Sequence, residues 1–154
     1  MRVVVQRVSH ASCMVDGKIT GKINKGFMCL VGFSKNDSLA DLDLCVKKTI
    51  GLRVFEDENG KMNKGLLDIS GSILAISQFT LYADSRRGNR PSFTDAMDFD
   101  EAKKFYDIFC QRLEASNICV ERGIFGADMK IELLNDGPVT IILDSEELKR
   151  KDWF

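Results

Sequence analysis

The chain carries one histidine (His10), one tryptophan and two prolines, and its 22 lysines and arginines nearly cancel its 23 aspartates and glutamates. Each scarcity removes a class of function. With a single imidazole, a Ser-His-Asp triad rests on His10 alone, in a hairpin-forming region where a surface or packed role competes with catalysis. A net charge of −1 gives no global field toward a polyanion, so any nucleic-acid contact has to come from a local patch. The five cysteines (Cys13, Cys29, Cys45, Cys110, Cys119) show no C-x-x-C spacing and an odd count. They read as reduced, mostly buried thiols of a cytosolic protein, with neither a disulfide framework nor a zinc site. No apolar run approaches the ~20 residues of a membrane span, and the N-terminus lacks the apolar core of a signal peptide. The expectation is a cytoplasmic protein with no membrane partner.

What is present suits one globular domain: 154 residues, 44% apolar and 29% charged. Val3-Val4-Val5 opens a strand, and Asp16-Gly17, between Met14-Val15 and Ile19, marks a hairpin. The continuous apolar run at 27–33 fits a strand buried on both faces. Asp37 or Ser38 then caps a helix with Leu39, Leu42, Val46 and Ile50 on one face. Arg53-Val54-Phe55 leads into 57–60, where Glu56, Asp57 and Glu58 beside Asn59-Gly60 read as a solvated turn in preference to metal ligands. Residues 73–76 form a short buried strand, and a second helix aligns Ala102, Phe105, Tyr106, Phe109 and Leu113. Two last strands, about 129–134 and 139–143, flank a turn at Gly137-Pro138. The remainder, about 145–154, is a charged tail ending in Trp153-Phe154. Strands outnumber helices, so the predicted fold is a single α+β domain over 1–154. It has a curved, barrel-like sheet with two main helices packed against it.

Four stretches could carry chemistry. Ser77-Gln78-Phe79-Thr80 ends a buried strand with two hydroxyls and an amide. These either satisfy local backbone groups or sit beside a reacting carbonyl, with Gln78 and main-chain N–H groups as an oxyanion site. The loop Arg86-Arg87-Gly88-Asn89-Arg90-Pro91 is either a solvated loop or a phosphate clamp, since guanidinium forks match phosphate oxygens. Lys149-Arg150-Lys151 could extend such a patch. The small-residue loop 123–129, with Phe125 and Met129, is either a strand connection or an apolar wall for an adenine ring. In Asn135-Asp136-Gly137-Pro138-Val139-Thr140, the Gly-Pro step must bend the backbone, and an X-Pro bond is where a cis peptide is affordable. A cis bond there would display main-chain carbonyls as fixed acceptors. Arg7, on the first strand, is a buried ion-pair partner or a site residue.

Residues 77–81 and 135–140, taken together and in this order, resemble the signature pair of the D-aminoacyl-tRNA deacylases. The similarity runs along nearly the whole chain. It includes Gln6-Arg7-Val8 with Ala11-Ser12, Lys61-Met62-Asn63, residues 87–93, and Phe125, Ala127, Asp128 and Met129. Two departures stand out: Arg122 occupies a place where the family often has threonine, and the tail beyond about Asp144 is longer than in the shorter members.

The resemblance implies hydrolysis of the ester between a D-amino acid, with glycine as a further candidate, and the 3′-terminal adenosine of tRNA. It implies a proofreading homodimer with active sites at the interface, no cofactor, no metal and no DNA partner. An aminoacyl ester is already activated, so the missing triad is tolerable, and the neighbouring ribose 2′-hydroxyl could assist. Under this reading Ser77, Gln78, Phe79 and Thr80 hold the ester carbonyl and ribose, with Thr80 a nucleophile or a positioning group. Phe125 and Met129 shape the adenosine side, and Arg7 braces the site. Gly137 and Pro138 read chirality from the neighbouring subunit by excluding an L side chain, while Asn135 and Thr140 fix that turn. Arg86, Arg87 and Arg90 contact tRNA phosphates without reading bases. Two competing functions are a non-catalytic RNA-binding module and a small-molecule esterase with no RNA partner.

Overall fold

Strand β1 (Arg2–Val15) is the spine of the molecule. Its first half pairs antiparallel with β3 (Gly26–Gly32) and its second half with β2 (Lys18–Ile23). The β1–β2 turn is tight because Asp16 and Gly17 both take positive φ, 50° and 77°, the twist that two-residue hairpins need. In the computed structural model, which describes residues 1–151, β6 (Ser72–Ser77) runs parallel to β3, and β7 (Cys119–Arg122) runs parallel to β6. The sheet order is thus β2-β1-β3-β6-β7, with β8 (Lys130–Asp144) antiparallel along the other edge of β1. The two ends of that order meet. The Thr20 hydroxyl donates to the Arg122 carbonyl at 3.2 Å, and the Lys22 amide donates to the Glu121 carboxylate at 3.4 Å. A nearly closed barrel results.

This closure explains why β3 and β6 are apolar without alternation. Phe27, Cys29 and Val31 of β3, with Ile73 and Ala75 of β6, face the helices; Met28, Leu74 and Ile76 face the barrel interior with Val8, Ala11, Cys13 and Ile23. Both faces are dry, so both exclude polar residues. Parallel neighbours require crossovers, and α1 (Leu39–Gly51) and α2 (Phe99–Ala115) supply them. Leu42, Cys45 and Val46 of α1 and Tyr106, Phe109 and Leu113 of α2 pack on one core. Ser38 is the N-cap of α1, its amide donating to the Asp41 carboxylate at 2.9 Å. A small hairpin, β4 (Phe55–Glu56) with β5 (Met62–Lys64), is closed by Asp57, whose carboxylate accepts from the Asn59 and Lys61 amides at 2.8 and 3.0 Å.

Two features differ from the sequence reading. Residues 130–144 form one strand instead of two strands about a turn, because β1 continues opposite both halves. The ladder jumps from Val8↔Asn135 to Gln6↔Thr140, so residues 136–139 bulge outward opposite Arg7 alone. Secondly, the tail begins with a third helix, α3 (Ser145–Lys149), capped by the Asp144 carboxylate. Ser145 is fully buried, its hydroxyl accepting from the Met1 ammonium at 2.8 Å, and that ammonium also meets the Asp37 carboxylate at 2.6 Å. Lys149 does not extend a basic patch: its ammonium lies 2.9 Å from Asp41 and 2.8 Å from Glu146. β6 stops at Ser77, and a 3-10 turn, Phe79–Tyr82, follows it. Trp153 and Phe154 lie outside the described residues.

Candidate active site

The end of β6 forms one wall of a cavity of about 520 Å³. Ser77, Gln78 and Phe79 line that wall, and Phe125 and Met129, from the β7–β8 connection, line another. Two local causes place Gln78. Its amide donates to the Val31 carbonyl at 2.8 Å, extending the β3–β6 ladder by one residue. Gly32 then lets the chain pass close, since a Cβ there would lie 2.8 Å from the Gln78 carbonyl oxygen. Beyond it the backbone turns: the Leu81 amide donates to the Gln78 carbonyl at 3.3 Å, and the Ala83 amide to the Thr80 carbonyl at 3.0 Å. The first N–H groups of such a turn have no acceptor within it, so main-chain donors are concentrated beside the cavity.

Thr80 is exposed and lies off the cavity lining; the Gln78 side-chain amide donates to its hydroxyl. Among the described residues, no base is hydrogen-bonded to it. His10 is exposed on β1, and Asp128 is the single titratable side chain among the lining residues, its carboxylate 3.1 Å from the Lys130 ammonium. None of the cysteines is among the lining residues, and burial pushes Cys110 up to about 11 and Cys45 up to about 12. Among the described residues, no three histidine, cysteine, aspartate or glutamate side chains converge as metal ligands would. The cavity therefore offers hydrogen-bond donors and apolar walls. Among the described residues it holds no protein acid–base pair.

The opposite wall is fixed by aromatic contacts. Phe125 packs edge-to-face on Phe99, ring centroids 5.0 Å apart, and lies 5.8 Å from Tyr106. Tyr106 is tied to β6 by its hydroxyl, which donates to the Ala75 carbonyl at 2.6 Å. Arg122 locks β7 onto α2 through Glu114 at 2.7 Å and Asp107 at 3.4 Å, just before the loop that carries Phe125. Helix α2 thus sets the position of that wall.

The remaining sequence candidates fall into two other groups. Arg7, 7% exposed, spans the base of the β8 bulge: its Nε donates to the Asp136 carbonyl at 2.9 Å and one Nη to the Val54 carbonyl at 2.6 Å. It has no carboxylate partner among the described ion pairs, so it is a brace between main-chain carbonyls and not a buried ion-pair member. Within the bulge the Val139 amide donates to Asn135 Oδ1 at 3.1 Å, and Asn135 Nδ2 donates to Thr140 Oγ1 at 3.1 Å. The Gly137-Pro138 peptide is cis, and both residues are exposed. This group lies outside the cavity lining.

The third group is the arginine loop. Arg86 is folded back on Asp84, with contacts of 2.9 and 2.7 Å, and holds that carboxylate down at about 2. Arg87 and Arg90 are exposed. The sequence reading had not assigned the cavity residues Phe33, Phe93, Met97 or Phe99. Phe99 carried a signal, an aromatic ring in the first turn of α2 outside its buried stripe, where packing alone does not require one.

Comparison with known proteins identifies the family. Residues 4–144 match the model of the family described as D-Tyr-tRNA(Tyr) deacylase. A D-aminoacyl-tRNA deacylase of Clostridium beijerinckii is 58% identical over 146 residues, covering 95% of this chain and 98% of that protein. Among solved structures, one titled c-Myc DNA Unwinding Element Binding Protein is 41% identical with a TM-score of 0.88, covering 94% of this chain and 98% of that one. A probable eukaryotic D-amino acid tRNA deacylase shares the fold at a TM-score of 0.78 and 17% identity, covering 92% and 97%. A barrel whose β6 end and β8 bulge carry both signature segments, matched over nearly its full length, places the chain in the D-Tyr-tRNA(Tyr) deacylase family of hydrolases.

Proposed function

We propose that the protein hydrolyses the ester between a D-amino acid and the 3′-terminal adenosine of tRNA, in the cavity bounded by Ser77, Gln78, Phe79, Phe125 and Met129. One observation carries this reading. Among the described residues, the cavity has donors and apolar walls but no base beside a hydroxyl, which suits an activated ester that brings its own ribose 2′-hydroxyl. The adenine ring packs against Phe125 and Met129. The ester carbonyl faces the backbone turn after Ser77, whose N–H groups stabilise developing negative charge. Thr80, with its hydroxyl engaged by Gln78, positions that amide and does not attack.

Selectivity is assigned to Gly137 and Pro138 of a second subunit. The bulge is exposed and off its own cavity, and exposed apolar side chains flank it on β8, Leu134 at 53% and Ile142 at 66%. Such a face suits a homodimer in which each subunit offers its bulge to the other's cavity. An L side chain would run into main chain there, whereas a D side chain or the hydrogen of glycine would not. Arg87 and Arg90 hold phosphates without reading sequence. The reaction calls for the cytosol, where aminoacylated tRNA resides.

The test is deacylation of D-, L- and glycyl-tRNA by the purified protein. Rapid loss of the D-ester with the L-ester spared is the expected result. Equal rates on D and L would sink the selectivity assignment. A second reading comes from the 41%-identical structure titled as a DNA-unwinding-element binder: nucleic-acid binding without hydrolysis. A protein that binds D-aminoacyl-tRNA while its ester decays only at the spontaneous rate would favour it.

A further inference from the structure

The proposed deacylase reading concerns the terminal adenosine; two exposed rings extend it to the nucleotide before. Phe79 and Phe93 meet edge-to-face with centroids 4.9 Å apart, yet remain 58% and 38% exposed at the cavity rim. Paired phenyl rings left in water beside a site are contact surface awaiting a partner. Phe93 follows Ser92, whose main chain exchanges two hydrogen bonds with Asp84, at 2.7 and 2.9 Å. That bridge closes the base of the loop, so Arg87, Arg90 and Phe93 are carried on one clamped unit. Arg86 is taken by Asp84, leaving two forks for phosphate.

We propose that Phe93, propped by Phe79, is a stacking platform for the base preceding the terminal adenosine, while Arg87 and Arg90 hold the adjoining phosphates. Single-stranded nucleic acid is held in this way, by aromatic faces beside cationic side chains. Every base has a π-face, so the platform is indifferent to sequence. The occupant is the unpaired 3′ end of tRNA. The arginines beside the rings complement its phosphates, and the cavity at their edge receives its last nucleoside.

Phe93→Leu keeps apolar volume and removes the ring, and Phe93→Trp keeps a stacking face. Each is assayed on D-aminoacyl-tRNA and on the minimal ester 3′-(D-aminoacyl)adenosine. The leucine variant should raise KM for the tRNA ester about tenfold, a clearly larger factor than for the adenosine ester, and tryptophan should restore KM. Removing Arg87 and Arg90 together should also raise KM for the tRNA ester alone and lower its salt dependence by roughly one to two units of slope. Equal losses on both esters, no loss on either, or a leucine variant that shifts from dimer to monomer would each overturn the platform. Wild-type turnover of the adenosine ester tests the deacylase reading separately. Should it be absent, anisotropy with uncharged tRNA still decides: weaker binding by Phe93→Leu supports the platform, and unchanged binding removes it.

Discussion

The guanidinium of Arg7 joins two main-chain carbonyls that are far apart in sequence, Asp136 at 2.9 Å and Val54 at 2.6 Å, and so fastens the β8 bulge to the loop before β4. No carboxylate among the described residues competes for it, and its five donors lie in a fixed plane. Lysine keeps the charge but cannot span both acceptors. Arg7→Lys should lower stability by about 1–3 kcal/mol, read by urea unfolding, and should erode discrimination between D- and L-aminoacyl-tRNA. Unchanged selectivity in a folded Arg7→Lys protein would remove the bulge from the recognition device.

Thr80 tests where the chemistry resides. Its hydroxyl accepts from the Gln78 amide, and no base among the described residues is hydrogen-bonded to it. If it only positions that amide, Thr80→Ala loses about one neutral hydrogen bond, a fall of roughly tenfold or less in kcat. Single-turnover deacylation with saturating enzyme measures this without interference from binding. A fall of a thousandfold or more with substrate affinity intact would restore the nucleophile.

Much of this was legible from local pattern. Continuous apolar runs gave β3 and β6, because both faces of those strands are dry, and the stripe through Ala102, Tyr106, Phe109 and Leu113 gave α2. The bulge was not legible as a bulge. Val8↔Asn135 and Gln6↔Thr140 are cross-strand registers, and nothing within 129–143 says that one partner strand runs past both halves. Helix α3 was hidden for a related reason: five residues give no periodicity, and its support comes from Met1, Asp37 and Asp41 more than a hundred residues away. Of the site, the two signature segments stood out. Phe93 and Phe99 did not, since the closure that brings them to the cavity rim depends on where α2 docks.

The α3 anchor predicts a pH dependence. Burial pushes the Asp41 carboxyl up, but the Ser38 amide, Lys149 and the Ser145 and Ser38 hydroxyls together hold it well below the usual carboxylate range. A depressed folded value means stability that is fully present above the unfolded value, about 3.9. That stability is lost as the pH falls toward the folded value. Asp41→Asn removes the charge at every pH and also weakens the α1 cap. It should cost about 2–4 kcal/mol at pH 7, and the gap from wild type should narrow below about pH 4. Urea midpoints at pH 7, 5 and 3 measure the gap; one that widened toward pH 3 would contradict the assignment.

Gly137 has φ of 137°, and a Cβ there would lie 2.8 Å from Val139 Cγ2, 3.0 Å from the Val139 nitrogen and 3.1 Å from an Arg7 Nη. All three contacts belong to the bulge and its brace, so Gly137→Ala should distort the bulge, at about 1–3 kcal/mol, and leave the cavity of its own chain intact. Gln78→Ala is the converse, a damaged cavity with an intact bulge. Each homodimer should be nearly inactive on D-aminoacyl-tRNA, the first because a distorted bulge obstructs the cavity it faces and the second because its own cavity is damaged. Mixed and re-equilibrated in equal amounts, half the dimers combine one of each, and every such dimer has one sound cavity facing one sound bulge. About a quarter of wild-type activity should return if the bulge acts across a two-fold interface. If bulge and cavity of the same chain work together, no dimer in the mixture contains a sound site and nothing returns.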